Sequence, residues 1–338
     1  YFSDGISEEL LYLLAKIPEL RVISRSSSFR YLGKDIDIPT VAGQLNVAHI
    51  LEGSVRKDGN QLRITAQLIE ARSDTHLWSE TYDRELESIF KIQDKISEAI
   101  VAALRDRLGL ELETVPVAVV AVNTEAHDAY LRGKYLLEQR LPDTVEAAIG
   151  EFQTAVAIEP GYALAHAELA VAFLLSSRNS YGDLAREEAI VRATPHAKQA
   201  LALDPDLAES HAANGLLMMY DRYAREASLE FFERAIELNP SYSIVRTWMA
   251  NLLSGGLGRY ADAFAAREKA LRLDPMSAPA IVNYVWELMA RNRLQEAGQE
   301  MGKVKNIYPY LYQYFEDVLA TASGEWRADI QRELGTLM

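Results

Sequence analysis

One helix ending is written over and over in this chain, and its spacing constrains the fold more than any other feature. The copies read "TAVAIEPGYA", "QALALDPDLA", "RAIELNPSYS" and "KALRLDPMSA". The prolines fall at 160, 205, 240, 275 and 309, so the spacings are 45, 35, 35 and 34. Two residues before each proline sits an aliphatic: Ile158, Leu203, Leu238, Leu273 and Ile307. Five before sit Ala155, Ala200, Ala235 and Ala270, with Val304 in the last copy. Ten residues after come Ala170, Gly215, Ala250 and then Val285. A fixed period of this length means a stacked array, in which each unit buries its apolar face on its neighbours. Each unit reads as two helices. The first starts just after the proline ("YALAHAELAVAFLLS", 162–176), and the second runs into the next proline ("REASLEFFERAIELN", 225–239). Proline fits at a helix start, where its missing N–H would have no partner anyway.

This helix–turn–helix period, with small residues where paired helices approach, resembles the tetratricopeptide repeat. The resemblance covers about five units over 125–310. A short insertion near "RLPD" enlarges the first unit, and about eleven extra residues near "SRNSYGDLARE" enlarge the second. Residues 311–338 read as capping helices, with Gly324 at their turn. The family implies a right-handed superhelix whose first helices line a groove that takes a protein or peptide partner. Groove positions in this register are Leu164 and Val171; Glu209, Leu216, Met219 and Tyr220; Thr247 and Asn251; and Val282, Trp286 and Met289. That surface is mostly apolar, and of these only Asn251 suits the gripping of a terminal carboxylate. Packing within the array and a partner groove both fit it.

Residues 1–110 do not repeat. "DGISEELLYLLAKIP" is an amphipathic helix with Ile6, Leu10, Leu13, Leu14 and Ile17 on one face. Asp4 reads as its N-cap and Pro18 as its stop. "LRVIS" reads as a short buried strand and "IPTVAGQLN" as a short helix. "HILEGSVRKDGNQLRITAQLIEARSDTHLWSETYDR" gives three strands, with Asp58-Gly59-Asn60 as hairpin chemistry. In "QLRITAQL", Leu62, Ile64, Ala66 and Leu68 point one way and the polar residues the other. A helix through Ile92, Ile96, Ile100 and Leu104 closes the segment at Gly109. The order predicts an α+β domain over 1–110, a mixed sheet with helices on one face, then a linker over 111–124 before the all-α array.

"YFSDGISEELLYLLAKIPELRVISRSSSF", "ILEGSVRKDGNQLRITAQLIEA" and "THLWSETYDR" resemble the TolB-like amino-terminal domain of bacteria, which often precedes tetratricopeptide repeats. In that family a further strand precedes the first helix, and this chain lacks it. An unpaired sheet edge would then be open to pairing between copies, a route to a homo-oligomer. The resemblance also implies another module upstream: a winged-helix DNA-binding domain with a membrane span, as in CadC-like regulators, or a nucleotide cyclase domain. With it comes an expectation of a sensory or scaffolding role, periplasmic rather than cytoplasmic. A structural part in an envelope assembly is the further alternative.

The chemistry of the sequence points away from catalysis. There is no cysteine, so disulfides, thiolate chemistry and Cys-based zinc sites are excluded. The six histidines form no metal-ligand spacing, and "LGKD" and "RGKY" lack the glycine and hydroxyl of a phosphate loop. "SGGLGR" (254–259) falls where the repeat needs a turn. "SRSSSF" (24–29) reads as a loop, with anion binding by Arg25 as its sharper alternative. Asp35 and Asp37 suit helix capping better than a metal. We therefore expect no catalytic residue, no cofactor and no metal. The net charge is −14, of which −5 falls in 1–120 and −9 in 121–338. Neither part carries the basic footprint of a nucleic-acid binder. No apolar run reaches membrane-spanning length, the longest candidate being "VPVAVVAV" at 115–122. The chain opens on Tyr1 with no signal peptide and reads as a fragment.

Overall fold

A computed structural model describes residues 20–58, 61–85 and 122–303, apart from 179 and 222. It also describes isolated positions from 7 to 17, at 102, and from 305 to 318. The cap expected at Asp4, the stop at Pro18, the Gly59-Asn60 turn, the closing helix through Ile92, Ile96, Ile100 and Leu104 with its end at Gly109, the linker up to residue 121 and the Gly324 turn lie outside the described residues. The last linker position, Thr124, already opens the first array helix.

The amino-terminal part begins with a short helix, α1 (Arg25–Ser28), followed by a 3₁₀ turn at Phe29–Tyr31. Then comes α2 (Ile38–Leu45). Asp37 caps it, accepting from the Thr40 backbone N–H at 2.8 Å and the Thr40 hydroxyl at 2.9 Å. Those two bonds hold its carboxyl below the usual carboxylate range. Three strands follow, β1 (His49–Asp58), β2 (Gln61–Glu70) and β3 (Thr75–Glu85), paired antiparallel in chain order. The alternation of β2 is as the sequence predicts: Ile64, Ala66 and Leu68 are buried and pack with Leu14, Ile17 and Tyr82. A register shift between Leu68 and Ile69 buries Ile69 as well, which strict alternation would expose. Gly53 in β1 has a steric reason, because a Cβ there would stand 2.5 Å from the Thr65 carbonyl oxygen.

Two expectations for this part are corrected. Residues 20–24 form no strand. Their N–H groups find partners in the array instead: Ser24 donates to the Leu273 carbonyl at 3.0 Å, and Val22 to the Ser241 hydroxyl at 3.4 Å. And "SRSSSF" is not a loop. It contains α1, whose Ser28 amide bonds back to the Ser24 carbonyl at 3.0 Å.

Among the described residues the array comprises five helix pairs, helix–turn–helix units as the sequence period predicts. They are α3/α4 (Thr124–Glu138, Pro142–Ile158), α5/α6 (Ala163–Ser176, Arg186–Leu203) and α7/α8 (Ala208–Met219, Arg225–Leu238). The fourth is α9/α10 (Ser243–Asn251, Tyr260–Leu273), with one π turn at Leu252–Gly256 after α9. The fifth is α11/α12 (Ala278–Ala290, Leu294–Lys303). Partners pack within each pair, and the second helix of each pair packs on the first helix of the next. Glycine sets the approach in two pairs. A Cβ on Gly133 would stand 2.6 Å from the Phe152 ring, and one on Gly215 2.6 Å from the Phe232 ring. Both rings are wholly buried.

The repeated ending has one geometry. The residue after each second helix returns its N–H to the alanine four back: Glu159 to Ala155, Asp204 to Ala200, Asn239 to Ala235 and Asp274 to Ala270, at 2.9 to 3.0 Å. These alanines are buried, because the next pair packs over them. Each proline sits in the turn that follows, and the next helix starts three residues on. Proline thus fixes the turn between units and does not occupy the first helical position. In the second pair the extra residues lengthen the turn over 177–185, and Pro195 lies inside α6. "SGGLGR" is the turn of the fourth pair, with Gly258 at φ +68°.

Candidate functional site

The expected groove positions are largely enclosed. Val171, Leu216, Thr247, Trp286 and Met289 are buried, while Leu164, Glu209, Met219, Tyr220, Asn251 and Val282 are half-buried. Several serve the stack itself. The Tyr220 hydroxyl donates to the Leu174 carbonyl at 2.5 Å, tying the third pair to the second. The Asn251 Oδ1 accepts from Arg267 at 3.2 Å. Thr247 donates weakly to the Ser243 carbonyl at 3.4 Å. Trp286 packs on Phe315 with ring centroids 5.1 Å apart, and Met289 and Val282 join the same cluster.

Glu209 belongs to a polar group that the apolar reading of this face missed. Lys134 of α3 pairs with Glu168 of α5 at 2.7 Å. The Tyr242 phenol, at the joint before α9, is pushed well above its ordinary value by burial first, and further by the carboxylates of Glu209 and Glu168. Residues from the first three pairs and the joint before α9 therefore face one another. The signal for Lys134 was present in the sequence. With Gly133 aligned on Ala170 and Gly215, Lys134 falls at the register of Val171, Leu216, Asn251 and Trp286. The register position ten residues before Gly133 is Asn123 in place of a proline, so nothing marks that register.

The amino-terminal segment enters the same space. Arg25, buried, pairs with Glu138 at the end of α3. Ser26 and Ser27 hydrogen-bond the two oxygens of Asp274, which follows α10. Ser27 also accepts from the Met276 amide at 2.9 Å. Neighbouring residues span at most about 3.6 Å each. Glu138 and Asp274 must therefore converge on one turn of helix, although seven helices, α4 to α10, lie between their positions in the chain. The array curves around α1. Apolar contacts seal the seam: Ile23, Val41 and Leu45 pack on Met276. Arg25 is thus engaged by an internal carboxylate, where the alternative reading of this stretch gave it a free anion.

Two histidines on neighbouring helices complete the polar interior. His166 and His196 share a hydrogen bond between their Nδ1 atoms at 2.9 Å, and His166 Nε2 lies 3.1 Å from the Pro160 carbonyl. Burial lowers both pKa values, and the charge of His166 lowers that of His196 further. One imidazole donates and the other accepts, which is the bond of two neutral rings. Among the described residues, no group of three or more His, Cys, Asp or Glu could hold a metal ion. Among them, too, no helix is long and apolar enough to cross a membrane.

With this geometry in hand, comparison with known proteins gives the following. No family model matches the chain. A protein of Rhizobium meliloti (strain 1021) named "Putative adenylate cyclase 3" is 36% identical over 227 residues, covering 67% of this chain and 38% of that protein. Transcriptional regulator HilA of Salmonella typhimurium is 23% identical over 253 residues, covering 74% of this chain and 44% of that protein. The chain therefore spans about two fifths of the length of the curated relatives it matches. Among solved structures, a type IV pilus biogenesis factor, PilW, aligns at TM-score 0.42 and 16% identity, over 64% of this chain and 94% of its own. A thermophilic TPR protein of Thermus thermophilus aligns at TM-score 0.40 and 21% identity, over 57% and 90%.

Proposed function

We propose that this chain is the non-catalytic input half of a larger regulator. In this reading the array binds a protein or peptide partner, and the amino-terminal α+β part relays occupancy to an output domain elsewhere in the protein. The observation that carries it is the seam: α1 is held inside the curved array by Arg25–Glu138 and by Ser26 and Ser27 on Asp274. A partner that changes the curvature of the array must change those contacts, because Glu138 belongs to the first pair and Asp274 follows the fourth. A change of state at one site is thereby coupled to the other part.

The two named relatives support the reading. One name assigns a cyclase and the other a transcriptional regulator, yet their matches cover 67% and 74% of this chain and so must overlap. A stretch shared by proteins named for different outputs suits an input module better than an output. A cyclase-linked role is the more specific version, favoured by the higher identity of the first relative. The test is a pair of assays. The isolated 338-residue chain should make no cyclic AMP from ATP. In the full-length protein, Asp274→Ala should change the output. Cyclic AMP production by the isolated chain, or an unchanged output in the variant, would overturn the reading.

A further inference from the structure

One cavity stands apart from the polar interior. It is an open surface pocket of about 160 Å³ lined by Arg21, Pro240, Arg246, Lys269, Arg272 and Leu273, with Arg246 half-buried and the other three cations exposed. Four of these six carry a positive charge, in a chain whose net charge is −14. Three elements supply them: Arg21 from the segment before α1, Arg246 from α9, and Lys269 and Arg272 from α10. None of the four makes an ion pair among the described residues. Arg21 donates to the carbonyls of Arg272 (at 2.8 Å) and Asn46, and Arg246 to the Pro240 carbonyl at 2.8 Å. These bonds fix the side chains without neutralising them. The Nε of Arg246 is buried with no hydrogen-bond partner among the described residues. Both Arg21 and Arg246 have lowered pKa values, from partial burial first and the charge of Arg272 second. Like charges held together without a counter-charge raise the energy of the unliganded state, and an anion removes that cost.

We propose that this cavity binds a phosphate group, either free or at the end of a small phosphorylated molecule, between the amino-terminal segment and the fourth helix pair. Arginine forks and a lysine ammonium suit the tetrahedral oxygens of phosphate. The volume is below the roughly 300 Å³ at which sites for drug-sized ligands begin, so the phosphate enters while any larger attached group stays outside. Because Arg21 lies two residues before Ile23 and four before Arg25, an anion here would tie the seam more tightly. The site is independent of which output the chain serves, so its failure would leave the regulatory reading standing.

The test is calorimetric titration of the 338-residue chain at constant ionic strength, balanced with chloride. One arm uses inorganic phosphate and the other AMP. Lys269→Gln with Arg272→Gln is the variant, since neither side chain makes a hydrogen bond among the described residues. Its melting temperature in chloride should hold or rise as repulsion falls. Phosphate should bind the wild-type chain and lose roughly ten- to a hundredfold in affinity for each cation removed. Equal binding of AMP assigns the site to the phosphate alone, and tighter AMP binding assigns it to a phosphorylated molecule. No heat above the chloride control, or affinity unchanged in the variant, would overturn the proposal.

Discussion

The sheet and the array bury their apolar surface in different ways. The sheet has one buried face, built on Ile64, Ala66, Leu68 and Tyr82, and a wet face on which Arg63 meets Asp83 and Thr65 meets Thr81. The array has a continuous core that runs from Ala126 to Leu252 and is rich in alanine. Alanine and glycine let helices approach closely, and single rings such as Phe152 and Phe232 fill what remains. The array is therefore self-supporting, unit upon unit. The described sheet is a single layer, and it leans on the array through Met276 and the α1 seam. Damage to the array core should propagate through the whole chain, whereas damage to the seam should release only the amino-terminal part.

The largest effect should come from the array. Phe232→Ala removes a wholly buried ring and should cost about 3–5 kcal/mol, read as a lower denaturant midpoint by circular dichroism. At the seam, Asp274→Ala strips the acceptor from Ser26 and Ser27 and should cost about 1–3 kcal/mol. Its signature is early proteolysis before residue 122 with the array intact. Cleavage spread evenly along the chain would instead show that sheet and array unfold as one. Gly133→Ala forces a methyl against Phe152 and should cost about 1–3 kcal/mol, again with loss of helix signal.

A smaller effect should follow pH. His166 and His196 have folded pKa values below the ordinary ~6.5, so on acidification the unfolded chain takes up protons first. Their contribution is fully present above about pH 6.5 and is lost as pH falls from there towards the folded values. Melting temperatures from pH 8 to pH 5 should show a fall below 6.5 that His166→Gln with His196→Gln flattens. A parallel fall in that variant would place the acid sensitivity elsewhere. Smallest of all, Arg63→Gln breaks only an exposed cross-strand pair and should leave the midpoint unchanged.

The array was legible because its spacing repeats: Ala235, Leu238 and Pro240 mean the same thing at each joint. The alternation of β2 was legible for the same reason, on a period of two. The seam was not. Nothing local in "RVISRSSSF" says that its amides will bond to Leu273 and Ser241, residues more than two hundred positions away. An extended, aliphatic stretch looks like a strand whether its partner is another strand or a helix array. Lys134 was missed because the first unit lacks the proline that marks the register, and Glu168 because it falls between the groove positions Leu164 and Val171 that the register assigns. The cluster at Arg21, Arg246, Lys269 and Arg272 draws on three distant elements, and only the fold brings it together.

The claim that α1 is held inside the array is tested most directly by hydrogen exchange on the 338-residue chain, followed at the amides of Ser24 and Met276. Ser24 bonds to the Leu273 carbonyl at 3.0 Å and Met276 to the Ser27 hydroxyl at 2.9 Å. Both amides should exchange slowly in the wild type. In Asp274→Ala both should exchange fast, while the Asn239 amide, bonded to Ala235, stays protected. Exchange of Ser24 at the rate of a free peptide in the wild type would contradict the account.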